Sequence, residues 1–595
     1  MLASRLVAPT RRIALTPAIA QRSFYNSALR LQEKKPVSGP SATPVTPPSP
    51  VLKTEAVTKT ATTPVATGSA GTPPPPPPPS PKKKWGFWKT TWRITYGSVF
   101  ATLIYAGWSI YETRHPRENQ SPPDPTKKTL VILGSGWGSV SLLKTINTSN
   151  YNVVVVSPRN FFLFTPLLPS CTTGTIEHRS IMEPIRGIIR NKESDVTYYE
   201  AEATKIDYEN RVVTIRDHST EDSKDERQLK FDYLVVGVGA MNSTFGIPGV
   251  QDHACFLKEI PDAQKIRKKI MDCIESASFK NLDDADRKRL LHTVVVGGGP
   301  TGVEFAAELQ DFFEEDLKKW IPGIAKDFKV TLVEALPNVL PSFSKQLIDY
   351  TERQFKAEKI SVLTKTMVKK VTEDTIIAEA TRPDGSKETL EMPYGLLVWA
   401  TGNTVRPVIR DLMANLEAQK NSRRGLLVNE YLVVEGTEGV WALGDCTATK
   451  YAPTAQVAAQ QGSYLGGLFN QLARAEDLEQ EVRALEAKAS QTAEGSAERK
   501  SILSEIESRS RRLRRSKSLL PFEYSHQGSL AYVGSDKAVA DLTLWAEGNF
   551  ASGGRLTYMF WRSAYLSMCF SMRNKILVLT DWVKVKVFGR DVSRE

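Results

Sequence analysis

Apolar residues in this chain gather into short runs without polar alternation, and most runs end in glycine or another small residue. The runs occupy residues 130–133, 151–156, 233–236, 294–296, 329–333, 396–399 and 440–443. A continuous β-branched run is typical of a parallel strand covered on both faces, whereas alternation is typical of a strand with one wet face. The pattern therefore predicts an α/β fold built on parallel sheets.

Two of these runs open into a glycine-rich turn that is followed by a helical pattern. The first run leads into Gly134, Gly136, Trp137 and Gly138. The run at 294–296 leads into Gly297, Gly298, Gly299, Pro300, Thr301 and Gly302. Glycines let the backbone approach a pyrophosphate, and the N-terminus of the next helix directs its amides at that group. Two such Rossmann-type units in one chain predict a two-dinucleotide flavoprotein, with FAD on the first unit and a nicotinamide nucleotide on the second.

The strand that follows each glycine turn ends differently in the two units. The strand predicted at 329–333 ends at Glu334, which would bind the adenosine ribose hydroxyls and repel a 2′-phosphate, so NADH is expected rather than NADPH. The strand at 151–156 ends at Ser157-Pro158-Arg159, where the general fingerprint has an acid. Ser157 can still accept a hydrogen bond from a ribose hydroxyl, but it carries no charge. On spacing alone, the first site is the weaker match.

Later strand ends supply further candidate contacts to a dinucleotide. Small residues follow apolar runs at Gly239, Thr401 and Gly402, where the backbone could lie against a bound dinucleotide. Gly444 and Asp445 follow the run at 440–443, and the next helical pattern begins shortly afterwards. Asp445 would accept a hydrogen bond from a ribityl hydroxyl beside that helix N-terminus. The alternative for Asp445 is an aspartate in an ordinary turn.

The N-terminal part of the chain carries targeting and membrane signals rather than a folded core. Residues 1–31 combine arginines with Ala, Leu, Ser and Thr and contain no acid, which predicts a mitochondrial transit peptide. Residues 32–84 are rich in Pro, Thr and Ser and predict a spacer without a core. The uncharged run Ile94–Tyr111, flanked by tryptophans, predicts a transmembrane anchor over residues 85–112.

The net charge of +12 is informative mainly because the basic residues are concentrated in two places. Basic residues concentrate at Lys82–Lys84 and Arg511–Lys517, positions that an anionic membrane surface explains at least as well as nucleic acid does, and the second cluster is more typical of a solvated charged face. No nucleic-acid partner is expected. Because the lysines precede the predicted span, the positive-inside bias places the folded body in the intermembrane space. The five cysteines and six histidines show neither a C-x-x-C pair nor metal-ligand spacing, so no metal site is expected.

The body of the chain divides by pattern into several segments. The predicted boundaries are an FAD-binding domain in two parts, 128–255 and 403–471, around an NADH-binding domain at 256–402. Residues 472–517 predict a helical hairpin insertion, because apolar residues repeat at helical spacing on either side of Gly495. Residues 518–595 form a C-terminal region. Its aromatic and basic residues between Arg555 and Arg590 predict an amphipathic helix that docks in a membrane interface.

Several local motifs stand in a fixed order along this body. They are Gly-Ser-Gly-Trp-Gly at 134–138, the segment 157–169 that contains Thr165, Gly-Gly-Gly-Pro-Thr-Gly-Val-Glu at 297–304, Ala-Leu-Gly-Asp at 442–445 and Pro-Thr-Ala-Gln-Val-Ala at 453–458. The combination resembles the mitochondrial type II NADH:ubiquinone oxidoreductases of the external type. These are the rotenone-insensitive alternative NADH dehydrogenases of fungi and plants. The resemblance covers the chain from about residue 128 to 595, apart from one insertion.

The resemblance implies an activity, a set of partners and two catalytic residues. NADH would pass a hydride to non-covalently bound FAD, and the reduced flavin would reduce ubiquinone at the inner membrane without pumping protons. Glu304 would lie near the nicotinamide and the flavin, and Gln456 would line the quinone end of the flavin. Ala459 stands where some relatives have a histidine. Ubiquinone and inner-membrane lipid are the implied partners. Whether the protein forms a homodimer is left open by the resemblance.

Other classes share parts of this pattern. A sulfide:quinone oxidoreductase or a disulfide reductase has paired cysteines beside the flavin, whereas Cys171 has no neighbour in sequence to pair with. A flavoprotein of the apoptosis-inducing-factor type would act mainly by binding partners, and it would bind nucleic acid with a marked salt dependence. Some relatives of the type II enzymes carry a calcium-binding EF-hand, but the insertion contains no such loop, so calcium regulation is not expected.

Overall fold

The computed structural model describes residues 85–115, 120–217, 225–279, 282–543 and 549–594. The predicted transit peptide, 1–31, and spacer, 32–84, lie outside the described residues. The described body is organised around two sheets of mainly parallel strands. Each of these sheets carries one of the two glycine turns.

The first sheet begins at the start of the body and recruits a strand from much later in the chain. Its strands, in spatial order, are Val440–Ala442, Tyr233–Val236, Thr129–Leu133, Asn152–Ser157, Thr197–Asp207, Val212–Asp217 and Glu226–Lys230. The first five pair in parallel, and the last two pair antiparallel at the edge. Leu130 to Leu133 are completely buried at the centre, because both faces of this sheet are covered.

The second sheet repeats this architecture around the second glycine turn. Its strands are Cys255–Phe256, Leu396–Trp399, His292–Val296, Lys329–Val333 and Ser361–Leu363, all parallel. Every residue of His292–Val296 is buried. In both sheets the glycine turn leaves the carboxyl end of a central strand, which is where open α/β sheets bind ligands. The predicted α/β fold with two dinucleotide-binding units is confirmed.

Smaller sheets and further helices complete this part of the body. Thr366–Val371, Thr375–Thr381 and Lys387–Pro393 form an antiparallel sheet, Ala240–Asn242 pairs with Asn403–Val405, and Phe161–Leu163 pairs with Met182–Pro184. The helices are Trp137–Thr145, Leu168–Thr172, Ile185–Ile189, Val250–His253, Ile260–Ala277, Asp284–Leu290, Pro300–Phe312, Lys318–Trp320, Lys345–Ala357 and Pro407–Asn415. A π-helical segment, Phe313–Leu317, extends Pro300–Phe312.

A long helix, Ala455–Gln491, packs on the helix that follows the first glycine turn. Thr454 caps it by accepting a hydrogen bond from the N–H of Val457 at 3.3 Å. The chain then turns at Gly495, whose φ is +82°, into a second helix, Ala497–Lys517. The predicted hairpin begins at residue 472, whereas the observed helix has already started at Ala455. The first arm of the predicted hairpin is therefore continuous with the helix that begins at Ala455.

The predicted transmembrane anchor forms a helix, Trp85–Arg114, but it lacks the composition of a membrane span. Glycine, serine, threonine and tyrosine interrupt the apolar positions between Ile94 and Tyr111 and lower the mean hydropathy. Nowhere in the described part of the chain does a helix combine the length and apolarity that crossing a membrane requires. The structure therefore does not support the predicted transmembrane anchor over residues 85–112.

The C-terminal region joins a small sheet to two helices. The antiparallel strands are Ser529–Tyr532, Ala538–Thr543 and Asn549–Gly554, and the helices are Arg555–Met568 and Met572–Phe588. Ser571 caps the second helix by accepting a hydrogen bond from the N–H of Asn574. Trp561 and Trp582 are buried, whereas Leu579, Val583 and Val587 are half-exposed or more. The region therefore has one face in the core and one apolar face outside it.

Candidate active site

A cavity of about 780 Å³ lies at the carboxyl ends of the first sheet and reaches the second glycine unit. The predicted cofactor-binding residues that line it are Gly134, Gly136, Trp137, Gly138, Ser157, Pro158, Arg159, Thr165, Gly239, Thr301, Thr401, Gly402, Gly444 and Asp445. The predicted site residues outside its lining are Gly297, Gly298, Gly299, Pro300, Gly302, Glu304, Glu334 and Gln456. The volume lies within the range of small-molecule and cofactor sites.

The glycines of the first turn are required for different physical reasons. Gly134 has a φ of +103°, and a Cβ there would lie 2.3 Å from the main-chain oxygen of Gly237. A Cβ on Gly138 would lie 2.1 Å from Leu443 Cδ1. A Cβ on Gly136 would meet nothing within 4 Å, and this residue lines the cavity. Gly136 therefore leaves room for a ligand, and the next helix begins there without a side-chain cap, so its first amides can bind an anion.

Ser139 replaces the third glycine of the general motif, and the packing explains why serine is tolerated. Ser139 is completely buried. A Cβ added to Gly237, on the neighbouring strand end, would lie 2.5 Å from Ser139 Oγ. The missing side chain of Gly237 therefore supplies the space that Ser139 occupies, and this departure from the motif leaves the turn intact.

The glycines of the second turn also fall into two kinds, those required by close backbone contacts and those that leave open space. Gly297 has a φ of +118°, and a Cβ there would lie 2.7 Å from the main-chain oxygen of Ala400. A Cβ on Gly302 would lie 2.0 Å from the main-chain oxygen of Gly297, whereas a Cβ on Gly299 would meet nothing within 4 Å. The helix that begins at Pro300 also lacks a side-chain cap. The second turn thus has the same capacity to bind a pyrophosphate.

Glu334 lies at the end of its strand, where backbone amides hold its carboxylate. It accepts hydrogen bonds from the N–H of Gly298 and, at 2.7 Å, from the N–H of Leu336. One partner belongs to the second glycine turn, so the carboxylate and the turn form a single unit. A carboxylate in this position can accept hydrogen bonds from the ribose hydroxyls of an adenosine.

Ser157 lies at the corresponding strand end of the first unit, and its hydroxyl forms hydrogen bonds within the protein. Its Oγ donates to the main-chain oxygen of Arg159 at 3.0 Å and lies 2.9 Å from Ser135 Oγ. The charged groups at this end of the cavity are Arg159, which forms an ion pair with Glu259, and Glu202. The charge at this end of the cavity therefore comes from Arg159, which belongs to the predicted motif, and from Glu202, which does not.

Three further cavity residues, Lys258, Asn403 and Arg406, are absent from the sequence prediction. Lys258 Nζ donates to Asn403 Oδ1 at 2.7 Å. Burial lowers the pKa of Lys258, an effect that the negative charge of Asp445 opposes. Burial likewise raises the pKa of Asp445, and Lys258 opposes that shift. Lys258 and Asp445 thus form an oppositely charged pair that can bind polar groups of a ligand.

One sequence signal could have drawn attention to Lys258. It stands directly before Glu259, which caps the helix Ile260–Ala277 and forms a capping box with Asp262. The N–H of Lys258 donates to Asp262 Oδ2 at 2.9 Å, so this box fixes the backbone of Lys258. Asn403 and Arg406 come from a segment far along the chain, and no local pattern connects them to the cavity.

Glu304 lies one helical turn after Thr301, a residue of the cavity wall, and is itself only 6% exposed. Its Oε1 accepts a hydrogen bond from the N–H of Tyr532, at 3.1 Å. Burial raises the pKa of Glu304 to about 8. The negative charge of Glu308 acts in the same direction, whereas the hydrogen bond from Tyr532 lowers this pKa. A carboxyl group in this state carries a proton at neutral pH and can donate it.

Gln456 is held by a loop of the C-terminal region. Its Nε2 donates to the main-chain oxygen of Gly528 at 2.8 Å, and its Oε1 accepts from the hydroxyl of Tyr524 at 3.0 Å. The same hydroxyl lies 3.0 Å from Nδ1 of the exposed His526. Ala459 leaves this end of the site without a histidine on the helix. The loop brings a different histidine close to Gln456, through Tyr524.

The cysteines do not form a redox pair at this site. All five, namely Cys171, Cys255, Cys273, Cys446 and Cys569, are free and buried. None lies in the cavity wall that the described residues form. A disulfide reductase requires a cysteine pair beside the flavin, so the arrangement argues against that chemistry.

Comparison with known proteins matches both halves of the body. The family described as pyridine nucleotide-disulphide oxidoreductase matches residues 128–462, and the NDH2 C-terminal domain matches residues 526–591. The external alternative NADH-ubiquinone oxidoreductase of Yarrowia lipolytica is 70% identical over 518 residues, covering 86% of this chain and 88% of that protein. External NADH-ubiquinone oxidoreductase 2 of Saccharomyces cerevisiae is 47% identical over 509 residues, covering 84% of this chain and 89% of that protein.

A solved structure supports the same assignment. The structure of NDH2 from Plasmodium falciparum in complex with NADH matches with a TM-score of 0.67 and 28% identity, covering 78% of this chain and 100% of that chain. Two dinucleotide-binding units around one cavity define a two-dinucleotide oxidoreductase of the pyridine nucleotide-disulphide type. Within that class, the chain belongs to the family of type II NADH-ubiquinone oxidoreductases.

Proposed function

We propose that this chain binds FAD non-covalently, oxidises NADH and reduces ubiquinone. The observation that carries the proposal is the shared cavity, whose wall includes Gly136 of the first unit and Thr301 of the second. A cofactor on one unit and a nicotinamide on the other could therefore meet in the same space. When bound, a flavin accepts a hydride from a nicotinamide and passes the electrons to a quinone. Membership of the NADH-ubiquinone oxidoreductase family supports the same reaction.

The residues that line the cavity fit an FAD molecule. Gly136 provides open space beside an uncapped helix N-terminus, which suits the pyrophosphate. Asp445 and Lys258 offer an acceptor and a donor for the hydroxyl groups of the ribityl chain. The contacts of the adenosine ribose fall to Arg159 and Glu202 rather than to Ser157, whose hydroxyl is already engaged.

The second unit would bind NADH in preference to NADPH. Gly299 leaves open space at the second glycine turn, and Glu334 places a carboxylate beside it. That carboxylate would accept hydrogen bonds from both ribose hydroxyls and would repel a 2′-phosphate. Thr401 and Gly402 would bring backbone against the bound dinucleotide from the neighbouring strand end.

Glu304 would act beside the nicotinamide and the flavin, and Gln456 would act where the quinone binds. Glu304, held protonated by burial, would keep a proton available beside the nicotinamide and the flavin. Gln456, fixed by Gly528 and Tyr524, would orient the quinone by hydrogen bonds from its amide. The chain itself contributes binding, orientation and proton supply, while the cofactor supplies the redox chemistry.

We place the protein at the mitochondrial inner membrane, with its body facing the intermembrane space. Relatives at 70% and 47% identity are named as mitochondrial and external enzymes. The exposed apolar face of Met572–Phe588 suits docking on lipid, from which ubiquinone could enter. The positive-inside argument needs a membrane span, which the described helices do not show, so the proposed orientation rests on the names of the relatives.

Oxidation of NADH in mitochondria tests both the activity and the orientation. Intact and ruptured mitochondria from cells with and without this protein would be compared in the presence of rotenone. NADH does not cross the intact inner membrane, so chain-dependent oxidation in intact organelles is the expected result. Dependence that appears only after rupture would keep the activity and reverse the orientation. No dependence in either preparation, with flavin-loaded protein present, would refute the proposed function and favour a partner-binding flavoprotein.

A further inference from the structure

An acidic row lies buried along one face of Pro300–Phe312 and its π-helical extension. It consists of Glu304, Glu308, Asp311 and Asp316, each no more than 6% exposed. Their spacing places them on the same side of the helix, and the wider π turn keeps Asp316 aligned with the others. Carboxyl groups buried at this depth must be protonated, hydrogen-bonded or paired with a cation. The state of the row therefore depends on the groups that surround it.

Arg590, close to the end of the chain, is the cation that meets this row. Its side chain is only 5% exposed and lies 2.8 Å from Asp316, 2.8 Å from Glu315 and 3.9 Å from Glu308. Its main-chain N–H also donates to Asp316 Oδ1, at 3.2 Å. Among the described residues, no other cation comes within 4.0 Å of a carboxylate of the row.

Hydrogen bonds extend the influence of Arg590 from the end of the row towards Glu304. Arg590 Nε donates to Thr175 Oγ1 at 2.9 Å, and Thr175 Oγ1 donates to Glu308 Oε2 at 2.6 Å. Glu308 stands one helical turn from Glu304, and its charge contributes to the raised pKa of Glu304. Hydrogen bonds therefore connect Arg590 to Glu308, and the charge of Glu308 acts on Glu304 across one helical turn.

Other polar groups face the row from every element packed on it. Hydrogen-bond donors to its carboxylates are Ser170, Thr173, Thr175, Tyr532 and Ser535. The remaining titratable or charged neighbours are Tyr558, Tyr565, Asp536 and Glu315. Arg562 stacks on the rings of Tyr558 and Trp582 instead of pairing with an acid of the row. Arg590 therefore supplies the positive charge that meets the row, while burial is the largest influence on Glu304 and Asp311.

We propose that Arg590 is a positioning residue for the quinone half of the reaction. Through Thr175 and Glu308 it sets the protonation of the acidic row, and thereby the supply of a proton at Glu304. The inference rests on the proposed function, in which NADH, one proton and a quinone yield NAD⁺ and a quinol. The nicotinamide C–H bond breaks, and the hydride carries two electrons and one proton. The quinol has two O–H bonds. One receives the proton that the hydride carries, and the other receives a proton from solvent. In this proposal that second proton passes along the acidic row, whose charge Arg590 influences.

The test compares acceptors that differ in their need for protons. NADH oxidation by the flavin-loaded protein would be measured with a soluble ubiquinone analogue and with ferricyanide, which takes electrons alone. Arg590→Met removes the charge, and Arg590→Lys keeps it. Arg594→Met is the matched control, because Arg594 pairs with Asp272 outside the row. Each variant is assayed between about pH 5 and pH 9, a range that spans the titration of a buried carboxyl group.

Arg590→Met is expected to lower the ratio of quinone to ferricyanide turnover about tenfold, the equivalent of one pKa unit in a proton donor. Without Arg590 the negative charge of Glu308 is less favourable, and because that charge raises the pKa of Glu304, the alkaline limb of the quinone profile moves to lower pH. Arg590→Lys should restore most of the ratio, and Arg594→Met should leave both measurements unchanged. Equal losses with both acceptors, or an unshifted pH profile, would show a purely structural role and overturn the proposal.

A second variant keeps the test decisive if Arg590→Met fails to fold. Thr175→Val retains every charge and nearly the same volume, but it cuts the hydrogen-bonded connection between Arg590 and Glu308. The quinone profile should shift in the same direction by a smaller amount, and an unshifted profile would overturn the proposal. Wild-type protein that reduces ferricyanide but no quinone would instead refute the proposed function, so the two failures are distinguishable.

Discussion

Glu304 shows how the burial of a single side chain determines a chemical state. Burial raises the pKa of Glu304 to about 8, whereas a glutamate in an unfolded chain has a pKa of about 4.3. Between these values the folded protein holds a proton that the unfolded chain has released. The contribution to stability is therefore complete below the unfolded pKa and is lost as the pH rises through the folded pKa.

Glu304→Gln removes this titration and should stabilise the protein increasingly as the pH rises from about 5 to about 8. The measurement is the thermal midpoint of the flavin-loaded variant relative to wild type across that range. Glu314→Gln is the control, because Glu314 pairs with Lys318 on the surface and its loss should matter little at any pH. A difference between Glu304→Gln and wild type that stays constant with pH would contradict a buried, protonated Glu304.

At the same scale, local motifs identify some site residues and miss others for a physical reason. Gly136 and Asp445 can be predicted because a strand, a turn and a helix adjacent in sequence determine where they lie. Asn403 cannot, because the fold brings it to Lys258 from a segment that is distant along the chain. Ser157 lies in the cavity wall as predicted, and its hydroxyl also donates to the main-chain oxygen of Arg159.

At the scale of elements, glycines in the long helix Ala455–Gln491 predict where it packs. A Cβ on Gly462 would lie 2.0 Å from the main-chain oxygen of Gly138, whereas a Cβ on Gly467 would meet nothing within 4 Å. Gly462 thus lets this helix approach the first glycine turn closely, and Gly467 has no such role. The sequence predicts helical spacing from residue 472 onwards. It also predicts a helix that begins shortly after Asp445, but not the contact of that helix with the first glycine turn, because the turn is distant along the chain.

Gly462→Ala and Gly467→Ala should therefore change stability in opposite directions. Overpacking against backbone at Gly462 should cost about 1–3 kcal/mol, because neither helix backbone can move aside easily. At Gly467, alanine should gain about 0.5–1 kcal/mol through its better helix propensity. Denaturant unfolding of the two variants under identical conditions measures both effects. A Gly462→Ala protein as stable as the Gly467→Ala protein would contradict the close contact between this helix and the turn.

At the scale of the whole molecule, the sheets follow from the sequence more directly than the membrane contact does. Continuous apolar runs such as Leu130–Leu133 predict parallel strands because burial on both faces leaves no position for polar residues. Membrane contact has no equally strict pattern. Trp85–Arg114 is helical but too rich in small polar residues to meet the requirement for a span. The second candidate, Met572–Phe588, shows its exposed face only once the fold has buried Val578 and Trp582.

That exposed face predicts how the molecule meets a membrane. Ile576, Leu579, Val583 and Val587 recur at helical spacing and are 42–65% exposed, so the helix can insert one apolar side into an interface. Replacing both Val583 and Val587 by Asp should lower binding to phospholipid vesicles by about tenfold or more, because buried charge opposes insertion. NADH oxidation with ferricyanide in solution should stay normal, since both residues lie outside the cavity wall.

Co-sedimentation with vesicles containing an anionic phospholipid measures the loss. Leu503→Asp provides the control, because Leu503 is 51% exposed on the hairpin helix Ala497–Lys517, away from the C-terminal helices. The double substitution adds two negative charges and the control adds one, so both should weaken electrostatic attraction to the vesicles, and the loss of about tenfold or more is expected only where the apolar face is disrupted. If Leu503→Asp releases the protein as completely as the double substitution does, binding is electrostatic and the C-terminal helix is not the docking element.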